Sequence, residues 1–323
     1  MATMKLVNLS ADQAIGTILV HNIVGTDGRK VLSKGHVLTP DDVAQLRALD
    51  KASVYVAVLE PGDVREDEAA ARLARSVAGD GVALTQPSGG RVNFLATLAG
   101  VLRVNRDALR RVNELPGVTL ATKPRYSFIE PKKIVATLKT IGLAVPESIL
   151  RRAEEIGRVF DVVAPHIERV AILLTGSEAG RKRTEETFLP PLRARIEALG
   201  ARVIAEAFCD ENAEAIQITL VGLLGAGAQL ILIAGETSIM DADDIVPRGI
   251  KKTGAHIELY GAPVEPGNLL LLAYHDNVPI IGAPGCVKSR ETNVVDLILP
   301  RLIIGEHVSR ADVIEMAEGG LLI

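Results

Sequence analysis

The stretch that decides the fold is residues 229–247, which reads QLILIAGETSIMDADDIVP. Its apolar run, 230–234, is too short for a typical helix and breaks at Gly235, after which Glu236, Thr237 and Ser238 follow. This pattern is typical of a buried strand that ends in a polar loop. Ligands bind open α/β sheets beyond the carboxyl ends of the strands, so this loop is the first candidate site.

Two further loops of the same type lie elsewhere in the C-terminal half. Small residues let backbone N–H groups approach an anion closely, and hydroxyls add hydrogen-bond donors without bulk. We therefore expect the three loops to form one phosphate-binding pocket. The additional loops are Thr175-Gly176-Ser177-Glu178 and Pro284-Gly285-Cys286, the latter followed by Lys288 and Ser289.

Strand and helix patterns alternate through residues 166–323, on both sides of the central loop. Such alternation favours βαβ units, so the fold class predicted for this region is α/β, a three-layer, mostly parallel sheet with helices on both faces. The predicted strands are 170–174, 203–208, 230–234, 257–260, 269–273 and 278–281, and the predicted helices are 185–199, 213–224 and 243–252.

The N-terminal half divides into two predicted regions. Residues 1–79 read as a small α+β module, in which Asp27-Gly28 marks a hairpin and Thr39 caps a helix that begins at Pro40. Residues 80–165 read as a β-rich middle region that ends in a linker helix, 147–160.

The composition excludes several classes of protein. Of the 323 residues, 48% are hydrophobic and 24% charged, and the net charge is −4, which lacks the basic excess of a nucleic-acid binder. Two cysteines cannot form a disulfide framework, and there is no apolar run long enough to cross a membrane. We expect a cytoplasmic protein with neither nucleic acid nor membrane as a partner.

Three carboxylates follow the central loop: Asp241, Asp243 and Asp244. Oxygen ligands of this kind suit Mg²⁺, which often sits between carboxylates and substrate phosphates. Asp is also a leading residue at helix N-termini, so the same three acids fit the cap and first turn of the helix that follows. Both interpretations stay open on the residues alone.

The order of motifs resembles a known family. LLTGSE, a helix ending in LGARV, LILIAGETS followed by Asp, VEPGN and PIIGAPG together resemble the molybdopterin-binding domain of molybdopterin adenylyltransferases and molybdotransferases. The chain is most similar to the molybdopterin-binding region that accompanies molybdenum cofactor cytidylyltransferases. The resemblance covers residues 166–323.

The resemblance implies a pterin that carries a phosphate or pyrophosphate, cradled by the loops at Thr175, Gly235 and Gly285, with Pro266-Gly267-Asn268 as a further binding segment. It places the family's catalytic acid at Asp243 or Asp244, and it implies Mg²⁺ and a nucleotide where such a domain is catalytic. It also implies a homo-oligomer and, as partner, a molybdoenzyme or a cytidylyltransferase.

The sequence departs from the family at Glu236, which replaces the second glycine of the central loop, and at Met240, which replaces a later one. No nucleotidyltransferase signature is present, so cytidylyl transfer is not predicted. The leading prediction is binding of molybdopterin or molybdenum cofactor for biosynthesis, maturation or delivery. The rivals are Mg²⁺-dependent adenylyl transfer or molybdate insertion, and a regulatory or scaffold protein whose pocket is filled by Glu236.

Cys286 and His275 each allow two interpretations. Cys286 follows a Pro-Gly turn, where a helix N-terminus would favour a thiolate that contacts the ligand, but free cysteines are also commonly buried without a chemical role. His275, beside Asp276, is predicted to be a surface residue, and the alternative is that it lines the pocket.

Overall fold

The computed structural model describes residues 4–322, which belong to two compact units. The first unit comprises the chain up to residue 98 together with 102–125 and 129–162, and the second comprises 99–101, 126–128 and the chain from 163 onward. Most of both N-terminal regions of the sequence analysis thus lies in the first unit, and three short segments of the region 80–165 belong to the second. Their separation at residue 79 stays a prediction.

The elements up to residue 163 alternate short strands with four helices. The Asp-Gly hairpin is confirmed between β3 and β4, and Thr39 caps α1 through a reciprocal pair of bonds with Asp42. In chain order the elements are β1 (Lys5–Ser10), β2 (Ile18–Leu19), β3 (Ile23–Val24), β4 (Lys30–Leu32), α1 (Pro40–Ala48), β5 (Ser53–Val58), β6 (Asp63–Arg65), α2 (Glu66–Val77), β7 (Val82–Leu84), β8 (Arg91–Ala96), β9 (Gly100–Val104), α3 (Arg106–Asn113), β10 (Val118–Thr122), β11 (Phe128–Ile129), β12 (Ile134–Thr140), β13 (Ala144–Pro146), α4 (Glu147–Ile156) and β14 (Phe160–Val163).

The first unit has two hydrophobic clusters of substantial size. One joins β1, β5 and α1 around Leu46 and Val56, and the other joins α2 and α4 to the sheet β10-β12-β8-β7 around Leu73 and Phe94. Helix α2 therefore packs with the region that follows it in the sequence.

The second unit is built on one six-stranded sheet of order β16-β15-β17-β20-β19-β18. The pairs β16/β15, β15/β17 and β17/β20 are parallel, whereas β19 runs antiparallel to both of its neighbours. The elements are β15 (Arg169–Gly176), α5 (Arg181–Glu197), β16 (Arg202–Asp210), α6 (Ala213–Gly225), β17 (Leu230–Gly235), α7 (Ile245–Lys252), β18 (His256–Tyr260), β19 (Leu271–His275), β20 (Val278–Gly282), α8 (Val294–Ile303) and α9 (Arg310–Ile314).

Helices cover both faces of this sheet, as the sequence predicts. Alternate residues of β15 point to opposite faces. Ile172 and Leu174 belong to the cluster that contains α5 and α8, whereas Ala171 and Leu173 belong to the cluster that contains α6 and α7. The three-layer, mostly parallel architecture is confirmed.

Several predicted boundaries were wrong. The helix predicted over 243–252 begins at Ile245, because Asp244 is its N-cap and accepts from the Ile245 N–H at 2.7 Å. The helix predicted over 185–199 begins four residues earlier, at Arg181. The linker helix ends at Ile156, because Gly157 adopts a positive φ of 75°. None of the helices within residues 4–322 is long and apolar enough to cross a membrane.

Candidate functional site

The three predicted loops lie at one edge of the six-stranded sheet. Strands β15, β17 and β20 are parallel neighbours, so their carboxyl ends meet there. Thr175 of β15 pairs with Gly235 of β17, and Ile233 of β17 pairs with Gly282 of β20. The three loops therefore lie side by side at this edge, and their forming one phosphate-binding pocket stays a prediction.

Glu236 bridges the first two loops. Its Oε2 atom accepts hydrogen bonds from the backbone N–H and the hydroxyl of Ser177, both at 3.0 Å. The same hydroxyl accepts from the N–H of Gly180, the N-cap of α5, at 3.1 Å. The bonds from Ser177 lower the pKa of Glu236. A carboxylate of the protein therefore occupies the place predicted for the ligand's phosphate.

Glycine permits the close approach of β15 and β17 at this edge. A Cβ atom added at Gly235 would lie 2.3 Å from Oγ1 of Thr175 and 3.1 Å from the carbonyl oxygen of Thr175. Thr175 is fully buried, and its hydroxyl has no hydrogen-bond partner among residues 4–322. Gly235 is thus required by packing, and Thr175 holds a free hydroxyl behind the central loop.

A cleft of about 210 Å³ opens beside Glu236. Two cationic side chains, Arg183 and Lys288, lie on it, and neither has a carboxylate within 4.0 Å in the part of the chain the structure describes. The volume is smaller than the roughly 300–1,000 Å³ of a site that encloses a drug-sized ligand, so the cleft suits one anionic group of a larger molecule. Its lining residues are Arg183, Thr184, Thr187, Phe188, Glu236 and Lys288.

The basic cluster 181–183 divides in the structure. Arg181 pairs with Glu185 at 2.9 Å and with Glu178 at 3.8 Å, and Lys182 lies 3.9 Å from Glu186. Arg183 alone lines the cleft. Glu178 stays exposed at the rim of the first loop.

Hydrogen bonds from Arg195 fix the third loop, a contact that the sequence does not predict. Arg195 is almost buried and donates to the carbonyl oxygens of Val287 and Ser289 at 2.9 Å each. It also forms an ion pair with Asp296 at 2.9 Å. A single arginine in a long helix carries no sequence signal for this role, because only the fold brings it under the loop.

The loops around Pro284, Gly285 and Cys286 approach the central loop through Ser238. The Ser238 hydroxyl lies 3.3 Å from where a Cβ of Gly285 would be. Cys286 sits in a 3-10 turn, 285–288, and partial burial raises the pKa of its thiol. Of the two alternatives for Cys286, the raised pKa of the thiol favours a partly buried thiol over a thiolate.

Pro266, Gly267 and Asn268 lie in the connection between β18 and β19, at the same edge of the sheet as the three loops. Gly267 is buried with φ of 130°, and a Cβ there would come within 2.4 Å of the Val294 side chain. The carbonyl of Pro266 accepts from the Val294 N–H at 3.1 Å. This segment fixes the start of α8, and Asn268 is the member with an exposed side chain.

The three aspartates serve local bonds. Asp244 accepts from the N–H groups of Met240 and Ile245, Asp241 accepts from the Asp243 N–H at 2.7 Å, and Asp243 pairs with Lys251 at 2.7 Å. Lys251 lowers the pKa of Asp243. Within residues 4–322 no group of three or more His, Cys, Asp or Glu side chains is arranged to hold a metal ion. The Mg²⁺ assignment and the catalytic role of Asp243 or Asp244 stay predictions.

The remaining candidates fall outside the cleft. Thr237 donates to Glu211, and the Ser289 hydroxyl accepts from the Glu291 N–H at 3.1 Å. His275 and Asp276 form the β19–β20 turn at the opposite edge of the sheet, so the alternative that they line the pocket was wrong.

Two family models match the chain. One is described as a probable molybdopterin binding domain and matches residues 171–303, and the other is a domain of unknown function, DUF8806, that matches residues 8–58. A search of curated proteins returned no match.

Among solved structures, the chain is similar to the molybdopterin biosynthesis MoeA protein from Pyrococcus horikoshii, with 12% identity, a TM-score of 0.32, and coverage of 93% of this chain and 75% of that one. It is similar to the enzyme MoaB from Thermus thermophilus at 16% identity and a TM-score of 0.32, with coverage of 43% and 98%. It is also similar to a protein from Corynebacterium diphtheriae that is described as a putative molybdenum cofactor biosynthesis protein. The identity is 16% and the TM-score 0.31, with coverage of 43% of this chain and 98% of that one. These values are too low to support an inference about function.

The sequence match and the geometry agree on the same region. The matched segment begins inside β15, ends with α8, and contains all three loops that converge at the edge of the sheet. Residues 171–303 match the family model described as a probable molybdopterin binding domain.

Proposed function

We propose that the second unit binds molybdopterin or molybdenum cofactor for biosynthesis, maturation or delivery to molybdoenzymes. The observation that carries the proposal is the unpaired cationic cleft of Arg183 and Lys288, beside the converging loops of a molybdopterin-binding family domain. Two cations with no carboxylate within 4.0 Å in the described chain offer charge-assisted bonds to a phosphate. The pterin ring would then lie outside the cleft, over the loops.

A degenerate pocket is favoured by one specific observation. That rival predicts Glu236 in the anion site and no cleft, and the carboxylate is in place on Ser177. The cleft beside it stays open, however, so the second half of the prediction is not met. Binding therefore remains the better-supported function, and nucleotide turnover would separate a binder from an adenylyltransferase or molybdate-insertion enzyme.

We further propose a cytoplasmic homo-oligomer that exchanges the ligand with a molybdoenzyme or a cytidylyltransferase. The support is the family of the domain together with the acidic balance of the chain, net charge −4.

Equilibrium dialysis of purified molybdopterin against the full chain tests the function. We expect binding by the wild type and at least tenfold weaker binding by Arg183→Met combined with Lys288→Met, because both charge-assisted bonds are removed. Lys182→Met is the matched control, since Lys182 belongs to the same basic cluster but does not line the cleft. Absence of binding by the wild type, or equal loss in the control, would refute the proposal.

A further inference from the structure

The pocket that holds the Glu236 carboxylate is shaped for an anion. Two positions without side chains make room for it: a Cβ added at Gly176 would lie 3.0 Å from Oε2, and a Cβ added at Gly180 would lie 2.7 Å from both carboxylate oxygens. The N–H of Ser177 donates to Oε2, and Gly180, whose Cβ position lies beside the same carboxylate, is the N-cap of a helix of 17 residues. Helix N-termini favour negative charge, so this cradle stabilises an anion of any origin.

The hydrogen bonds to the carboxylate come only from uncharged donors; these bonds from Ser177 and, more weakly, the charge of Arg183 lower the pKa of Glu236. Within residues 4–322 no cation lies within 4.0 Å of Glu236, and its bonds come from the Ser177 N–H and hydroxyl. The cations Arg183 and Lys288 lie on the same cleft. A phosphate offers more charge and more oxygen atoms than a carboxylate, so it can bond to the cradle and to these cations together.

A third observation places an unused polar group behind the same loops. The Thr175 hydroxyl is buried without a partner in the described chain, directed at Gly235, the residue before Glu236. Polar atoms left unpaired in this way are uncommon in folded proteins and mark places where a structure rearranges or takes a ligand.

We infer that Glu236 is an intramolecular competitor that sets the selectivity of the site. It occupies the cradle when no ligand is bound and yields it to the ligand's phosphate. Free phosphate or pyrophosphate must displace the carboxylate with the cradle and the two cations as its contacts, whereas a pterin phosphate gains further contacts from the rest of the molecule. The site therefore rejects small inorganic anions that a glycine at position 236 would admit. This inference rests on the proposed function.

Calorimetric titration with inorganic pyrophosphate tests the inference. We expect weak binding by the wild type and at least tenfold tighter binding by Glu236→Ala, a change of about 1.4 kcal/mol. Glu236→Gln should give a smaller gain, because the neutral amide still fills the cradle. Glu178→Ala is the matched control: it removes an exposed acid from the first loop but leaves the cradle filled, so its affinity should match the wild type.

A second variant separates the cradle from a general effect of charge. Adding Gly180→Ala to Glu236→Ala puts a Cβ where the carboxylate oxygens lay, so the gain should be lost while circular dichroism shows an intact fold. The inference is overturned if Glu236→Ala binds pyrophosphate no better than the wild type, or if Glu178→Ala gains equally.

The outcomes also separate this inference from the proposed function. Tighter pyrophosphate binding by Glu236→Ala without any molybdopterin binding by the wild type would support the competitor and refute the function. The reverse result would keep the function and remove the competitor.

Discussion

Two glycines in neighbouring helices should respond to the same substitution with opposite signs. Gly222 lies on the exposed side of α6, and a Cβ added there meets nothing within 4 Å. Gly249 lies in α7, where an added Cβ would come within 2.6 Å of Cγ2 and 2.7 Å of Cβ of Ile216 on α6. The close packing of α7 on α6 sets where the central loop, which ends at α7, is anchored.

The magnitudes follow from helix propensity and packing. Gly222→Ala should stabilise the second unit by about 0.5–1 kcal/mol, because alanine loses less backbone entropy in a helix. Gly249→Ala gains the same term but must push α7 away from a branched side chain and from the carbonyl of Ala213, 3.1 Å away. Overpacking of this kind costs about 1–3 kcal/mol, and the absence of a flexible neighbour places Gly249→Ala toward the upper value, with a net loss of about 1–2 kcal/mol.

Native-state hydrogen exchange read by mass spectrometry measures both changes within the second unit. Peptides from α6, α7 and β17 should exchange more slowly in Gly222→Ala and faster in Gly249→Ala than in the wild type, with a separation between variants of about 1.5–3 kcal/mol. Equal protection in the two variants, or higher protection in Gly249→Ala, would refute the argument from helix contact.

Two further predictions concern the same unit. Gly235→Ala should destabilise the second unit, because the added Cβ would lie 2.3 Å from Oγ1 of Thr175. Adding Thr175→Ala should recover about 1–2 kcal/mol in a double-mutant cycle measured by urea unfolding, and additive effects of the two substitutions would contradict the contact. Burial raises the pKa of Asp312, but bonds from Ser309 and the Arg301 guanidinium outweigh it and lower the pKa to about 2. For a side chain about 30% exposed, the ionised Asp312 therefore contributes about 1–2 kcal/mol to the free energy of unfolding above pH 4, and this contribution is lost as the pH falls through about 2. Asp312→Asn should remove this part of the acid dependence of unfolding. An unchanged pH profile of unfolding in that variant would contradict the prediction.

The sequence is most informative about the fold where local and long-range preferences agree. The apolar run 230–234 is buried on both faces of the sheet, so its strand is readable without knowledge of its neighbours. Boundaries that depend on a cap are harder to place, because the N-cap role of Asp244 is decided by the geometry of its two bonds. The antiparallel direction of β19 relative to β20 follows from the short turn at Asp276, because a connection of this length can join only antiparallel strands.

The candidate site was predictable as a set of loops but not as a set of contacts. Parallel neighbours bring their carboxyl ends together, and this rule alone places Thr175 and Gly235 side by side. The contribution of Arg195 depends on the position of α5 beneath the third loop, and the difference between Arg183 and its two basic neighbours depends on the helix face that meets the cleft. Composition and spacing do not contain these facts.

Glu236 shows how one departure from a family pattern acquires meaning from strand register. Because Thr175 pairs with Gly235, the next residue on the central loop lies beside Ser177, within hydrogen-bonding reach of the Ser177 N–H in the loop that leads into α5. The reach succeeds only because positions 176 and 180 are glycines, so the substitution at 236 and the absence of side chains in the first loop act together. The carboxylate at this position therefore lies where a backbone N–H and a hydroxyl both donate to an anion. Removal of the Glu236 side chain is therefore the change that shows whether this carboxylate competes with a ligand's phosphate for the cradle.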